Sequence, residues 1–130
     1  MRSHDESDIQ RNCIKWIRAQ YPNVVCFSIP NGGRRDKIGA AILKSEGLLA
    51  GAADLFLAHP KVEYSSYNFQ EYDDDSANYT HGIFLEIKTP TGRQSESQKE
   101  FEKKVLANGY DYRIVRSLDQ FMKIVKDYLK

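Results

Sequence analysis

The segment Gly82-Ile83-Phe84-Leu85-Glu86-Ile87-Lys88 constrains this chain more than any other. Its apolar residues mark a strand, and side chains along a strand alternate between faces. Ile83, Leu85 and Ile87 therefore share one face, while Phe84, Glu86 and Lys88 share the other. A carboxylate and an ammonium stand where the pattern predicts burial. Burying a charge is costly unless it is paired, hydrogen-bonded or bound to a metal. Read alone, the two charges are either an ion pair at a strand end or the edge of a site.

The remaining periodicities supply layers around such a strand. Residues 5–20 read as a helix, with Ile9, Cys13, Trp16 and Ile17 at three- and four-residue spacing and Pro22 just beyond. Ser3 to Glu6 fits a capping box at its start. A β-rich run, Val24–Ile29, stops at Pro30 and the turn of Asn31–Gly33. A helix is expected from about Asp36 to Glu46, with Ile38, Ala41, Ile42 and Ser45 on related faces. Strands at Asp54–Ala58, Gly82–Lys88 and Tyr110–Val115 and helices at Glu96–Asn108 and Leu118–Leu129 complete the order. Residues 59–81 are polar, tyrosine-rich and acidic, and read as a surface insertion in which Glu63–Phe69 fits a hairpin. This is an α/β order, with a mixed or mostly parallel sheet flanked by helices.

At 130 residues and 41% hydrophobic content, the chain suits one domain spanning 1–130. Its two cysteines, Cys13 and Cys26, lack CxxC spacing, and no secretory-type leader is visible, so a reducing, intracellular, cytoplasmic setting is expected. No apolar run approaches the ~20 residues of a membrane span. The net charge of +1 conceals an asymmetry: residues 61–81 carry a local net of −4, which leaves +5 elsewhere. A mildly basic body is compatible with nucleic-acid binding.

Asp54 opens one strand and Glu86 lies near the end of the next. If those strands are neighbours, two carboxylates and the Lys88 ammonium converge. Grouped carboxylates repel unless a hard cation neutralises them, and Mg²⁺ suits one or two carboxylates plus water. Such an ion acidifies water and polarises a phosphodiester oxygen. His4, His59 and His81 show no zinc-ligand spacing, and the consecutive aspartates Asp73–Asp75 project apart.

Five segments in order resemble the VRR-NUC (virus-type replication-repair nuclease) family of the PD-(D/E)xK superfamily: "ESDIQ", "PNGGRR", "LKSEGLLAGAADLFL", "GIFLEIKTPTGRQSESQ" and "NGYDYRIV". The family pattern is roughly a helical glutamate followed by a glutamine, Asn-Gly-Gly-x-Arg, Gly-x-Pro-Asp, Glu-x-Lys and Ser-x-x-Gln. The resemblance implies a restriction-endonuclease-like core. It implies a catalytic set of Asp54, Glu86, Lys88 and Gln98, with Asp54, Glu86, the Ile87 backbone carbonyl and Glu6 around a Mg²⁺ or Mn²⁺ ion. Gln10, one helical turn after Glu6, would hold that carboxylate from behind. Asn31, Gly32, Gly33, Arg34 and Arg35 would contact the DNA backbone. Lys37, Lys44 and Arg93 would extend the basic surface. One position departs from the pattern: Ala53 stands where the family has proline, which bears on local rigidity and not on metal ligation. Glu6 and Gln98 each follow a serine by three residues, so each also suits a capping box.

The resemblance implies a metal-dependent endonuclease of the stand-alone type, a homodimer cutting branched DNA such as four-way junctions. Two other readings stay open: a nuclease-fold module that only binds DNA or protein, and a restriction-type or RNA-cutting enzyme. The acidic insertion is expected to shape substrate choice or dimer contacts.

Overall fold

The computed structural model describes residues 4–30, 37–64 and 77–130. The elements run α1 (His4–Gln20), β1 (Cys26–Ser28), α2 (Lys37–Ser45), β2 (Leu55–Leu57), β3 (Lys61–Tyr64), β4 (Ala77–Thr80), β5 (Ile83–Ile87), α3 (Glu96–Ala107), β6 (Asp111–Val115) and α4 (Leu118–Tyr128). Ser3 of the expected first cap, the Asn31–Arg35 turn and Asp73–Asp75 lie outside the described residues, as does most of Glu63–Phe69.

The central sheet has the order β1-β2-β5-β6. The β1–β2 and β2–β5 pairs are antiparallel and the β5–β6 pair is parallel. The sheet is thus mixed, and the mostly parallel alternative is excluded. The parallel pair uses α3 as its crossover, as a parallel connection requires. Residues paired across strands share a face, so Leu55, Leu57, Ile83, Leu85, Ile87 and Val115 line one side and are fully buried. Cys13 and Ile17 of α1 and Phe121 and Val125 of α4 cover that side. The opposite side carries Phe56, Phe84 and Tyr112, against which Phe101 and Val105 of α3 pack.

The strand at β1 is shorter than Val24–Ile29 because the Val24 N–H turns back to the Tyr21 carbonyl. Pairing still continues past it: Ala58 donates to Val25 and Ile29 to Asp54, each at 2.8 Å. The expected insertion contains an antiparallel ribbon, β3 with β4, in which Glu63 pairs with Asn78 and not within Glu63–Phe69. Its base is tied down: Lys61 Nζ donates to the Asp127 carbonyl at 3.1 Å, and the Tyr128 hydroxyl donates to the His59 carbonyl at 2.6 Å. On α2 the apolar residues Ile38 and Ile42 are exposed. Among the described residues, no helix is long and apolar enough to cross a membrane.

Candidate active site

The register of the antiparallel pair β2–β5 decides where the two carboxylates go. Leu57 faces Ile83, Phe56 faces Phe84 and Leu55 faces Leu85. One step further along the same ladder sets Asp54 opposite Glu86, on the side of the sheet that packs α3. Both residues are buried, at 3% and 2% exposure, and they are the buried charged residues among those described.

Asp54 is anchored from two directions. Its carbonyl accepts the Ile29 N–H at 2.8 Å, and its Oδ2 accepts the Ile87 N–H at 2.7 Å. This second bond ties the start of β2 to the backbone between Glu86 and Lys88. Glu86 Oε1 accepts the Gln98 amide at 2.8 Å and lies 4.0 Å from Lys88 Nζ. Its other oxygen, Oε2, is buried with no hydrogen-bond partner. Burial, then the charge of Asp54, push the Glu86 carboxyl up to about 8, while Lys88 pulls it down and Glu6 adds a smaller upward push.

Gln98 fills two roles at once. Its side-chain oxygen accepts the Ser95 N–H at 2.8 Å while its own N–H reaches Ser95 Oγ at 3.2 Å, a reciprocal capping box at the start of α3. The same amide's NH₂ group is what reaches Glu86. The cap and the site are one side chain read from its two ends.

Gly51 explains how the chain enters this corner. It has φ +85°, and a Cβ there would stand 2.3 Å from the Ser97 carbonyl oxygen. Only glycine lets the loop before Asp54 lie directly on the first turn of α3. The following Ala53 is fully buried and holds its place without the proline of the family pattern.

A cleft of about 710 Å³ opens above the carboxylates, lined among others by Glu6, Gln10, Lys44, Gly51, Lys88 and Gln98. Lys88 and Gln98 form part of its floor, and both lie against Glu86 beneath it. The structure therefore brings together Asp54, Glu86, Ile87, Lys88 and Gln98, with Glu6 and Gln10 on α1 at the margin. Among the described residues no three His, Cys, Asp or Glu side chains close into one metal-holding group. Glu6 lines the cleft, and its charge adds to the upward push on Glu86. Asn31, Gly32, Gly33, Arg34 and Arg35 fall outside the described residues.

Two contributors carry no motif. Arg116 Nη1 donates to the carbonyls of Thr89 and Gly92, each at 2.7 Å, and so fixes the turn that follows Lys88. Gln94 donates to the Tyr112 hydroxyl at 3.2 Å and to Glu102 Oε1 at 2.9 Å, bracing the sheet side of α3. Nothing local in the sequence marks Arg116, since its acceptors are carbonyls 24 to 27 residues away. Gly51 carried a signal, the unusual small-residue run before an acidic strand start.

The donor set suits a hard divalent cation. Two buried carboxylates lie side by side, one oxygen of Glu86 has no hydrogen-bond partner, and burial, then the charge of Asp54, raises the Glu86 carboxyl, a combination that a divalent cation would relieve.

No protein-family model matches the chain, and no curated protein matches it. Solved structures do. One, described as a "VRR_NUC domain protein", is 18% identical with a TM-score of 0.70, over 99% of this chain and 91% of its own. Another, described as a "VRR_NUC domain", is 15% identical with a TM-score of 0.57, over 97% of this chain and 99% of its own. The chain therefore has the fold of the VRR-NUC domain, the same one that its five spaced segments resemble.

Proposed function

We propose that this chain is a VRR-NUC-type nuclease, a metal-dependent DNA endonuclease that hydrolyses phosphodiester bonds. The observation that carries the reading is the Asp54–Glu86 pair, buried side by side with one carboxylate oxygen unpartnered and Lys88 4.0 Å away. A binding module gains nothing from two carboxylates near a polyanion. Asp54, Glu86 and the Ile87 carbonyl would hold Mg²⁺ or Mn²⁺, which when bound supplies an acidified water and polarises the phosphate. Lys88 orients the attacking water at the cleft floor and offsets charge that develops on the phosphate oxygens. Gln98, which donates to Glu86 Oε1, would orient that carboxylate as a ligand, Glu6 would border the site, and Gln10 would support Glu6. Asn31 to Arg35 would grip the DNA backbone.

Branched DNA, with four-way junctions foremost, is the proposed substrate. Cutting a two-fold junction symmetrically takes two sites, and one chain supplies one, so the active form would be a homodimer. The free, buried thiols of Cys13 and Cys26 suit a reducing intracellular setting.

Plasmid, linear duplex and synthetic junction substrates test this. With Mg²⁺ or Mn²⁺ the wild type should cut, junctions fastest, and EDTA should stop it. Glu86→Gln and Lys88→Ala should each lower the rate by roughly a thousandfold or more. A wild type that cuts none of the three, or variants that cut as it does, would overturn the enzyme reading.

A further inference from the structure

The cleft over the carboxylates does not end at α1. A second cleft of about 750 Å³ shares Gln10 and Ser28 with it and continues along the helix past Arg11, Lys15 and Arg18. We infer that this continuation is a phosphate track, which holds the DNA strand flanking the scissile bond. The inference rests on the nuclease reading above and adds the path by which substrate leaves the site.

Three observations support the track. Positions 11, 15 and 18 are spaced four and three apart, so their side chains form one stripe on α1. That stripe starts beside Gln10, at the margin of the catalytic cleft, and runs away from it. Seven residues of helix rise about 10 Å, the axial length of about three phosphates on one strand.

The charge is one-sided. Among the described residues no carboxylate lines this second cleft, whereas the first has the Asp54–Glu86 pair under its floor and Glu6 in its wall. Arg11 is held by Asp8 at 2.7 Å on the open surface. No ion pair among the described residues engages Lys15 or Arg18. Asn12 and Ser28 add neutral groups able to bond phosphate oxygens. A backbone leaving a site that holds two carboxylates passes Arg11, which Asp8 already pairs, and then meets Lys15 and Arg18, the two cations without an ion pair among the described residues, and each phosphate neutralised releases counterions. The polyanion is thus drawn to the track and not to the carboxylates, which lets it approach a site that would otherwise repel it.

Binding of a fluorescein-labelled 20-base-pair duplex, measured in EDTA at graded salt, tests this apart from cleavage. Lys15→Ala/Arg18→Ala should flatten the plot of log K against log salt by about 1.8, and weaken binding roughly tenfold near 0.1 M. With Mg²⁺ the loss should fall on KM. Asp8→Asn, which frees Arg11, should strengthen binding. The control Lys103→Ala/Lys104→Ala makes the same change of charge on exposed α3 and should bind as wild type does. A track variant indistinguishable from this control, in a protein that still cuts DNA, overturns the track and leaves the nuclease reading intact. Track-dependent binding without cleavage by wild type does the reverse.

Discussion

Leu85 and Glu86 are neighbours on β5, both almost fully buried, and they face opposite layers. Leu85 looks toward α1 and α4, into a continuous apolar cluster that includes Leu55, Val115 and Phe121. Glu86 looks toward α3, where the apolar cluster is smaller and the carboxylate must be met by Gln98 and Lys88. The same strand thus contributes cohesion on one side and a buried, only partly compensated carboxyl pair on the other. The first layer holds the sheet rigid enough for the second to keep two acids together that would separate if free to move.

Leu85→Ala should break the first side. A cavity among fully buried neighbours costs about 3 kcal/mol, a large part of the roughly 5–15 kcal/mol available to a domain. Glu86→Gln should do the opposite in the metal-free protein. A neutral amide of the same shape still accepts from Gln98 and removes both the burial of a charge and the repulsion with Asp54, for a gain of about 1 kcal/mol at pH 8. Urea unfolding of both variants in EDTA reads the contrast. Equal destabilisation by the two would mean that the layers do not differ in kind.

pH sharpens the same contrast. The Glu86 carboxyl stands at about 8 in the folded protein against 4.5 for the unperturbed group, chiefly through burial and then Asp54. Between those values the unfolded chain has released this proton and the native protein keeps it. Stability should therefore fall as pH rises from about 5 to 8. Unfolding midpoints in EDTA at pH 5, 6.5 and 8 measure the slope. Glu86→Gln should flatten it, and so should a saturating divalent cation, which holds both carboxylates ionised. Leu85→Ala should lower the whole curve without changing its shape.

Alternation along Ile83–Lys88 assigns faces and so makes the apolar layer legible in the sequence. The Asp54–Glu86 meeting was legible only on the condition that their strands are neighbours, and the β2–β5 pairing supplies that condition. Strand direction is not encoded that way: an antiparallel and a parallel neighbour to β5 would both show the same alternation, so the mixed sheet needed the three-dimensional pairing. Gln98 was legible as a cap through Ser95 and as a site residue through the Ser-x-x-Gln of the family resemblance, and the structure has it cap α3 and donate to Glu86 at once. Arg116 was invisible because a guanidinium on carbonyl oxygens leaves no residue-type signature at its acceptors. The stripe of Arg11, Lys15 and Arg18 reads in sequence as an ordinary solvated helix face. Only the shared walls of Gln10 and Ser28 connect it to the site.

The smallest effects distinguish cap from site at the start of α3. Ser95→Ala removes one acceptor, the one that takes the Gln98 N–H, and should cost about 1 kcal/mol while leaving the Gln98–Glu86 bond in place. Gln98→Ala loses the bond from the Ser95 N–H as well as the donor to Glu86, so its stability loss should be similar. Activity should separate them: Ser95→Ala near wild type, Gln98→Ala lower by about tenfold, since a carboxylate ligand loses the partner that orients it. Gln98→Glu refines the test, because it keeps an acceptor for Ser95 but turns a third carboxylate on Glu86. Its fold should hold, while proton release from Glu86 moves to higher pH and the pH–rate profile moves with it. If Ser95→Ala and Gln98→Ala lose activity equally, the glutamine serves the helix alone, and Glu86 is oriented by Lys88 and the strand.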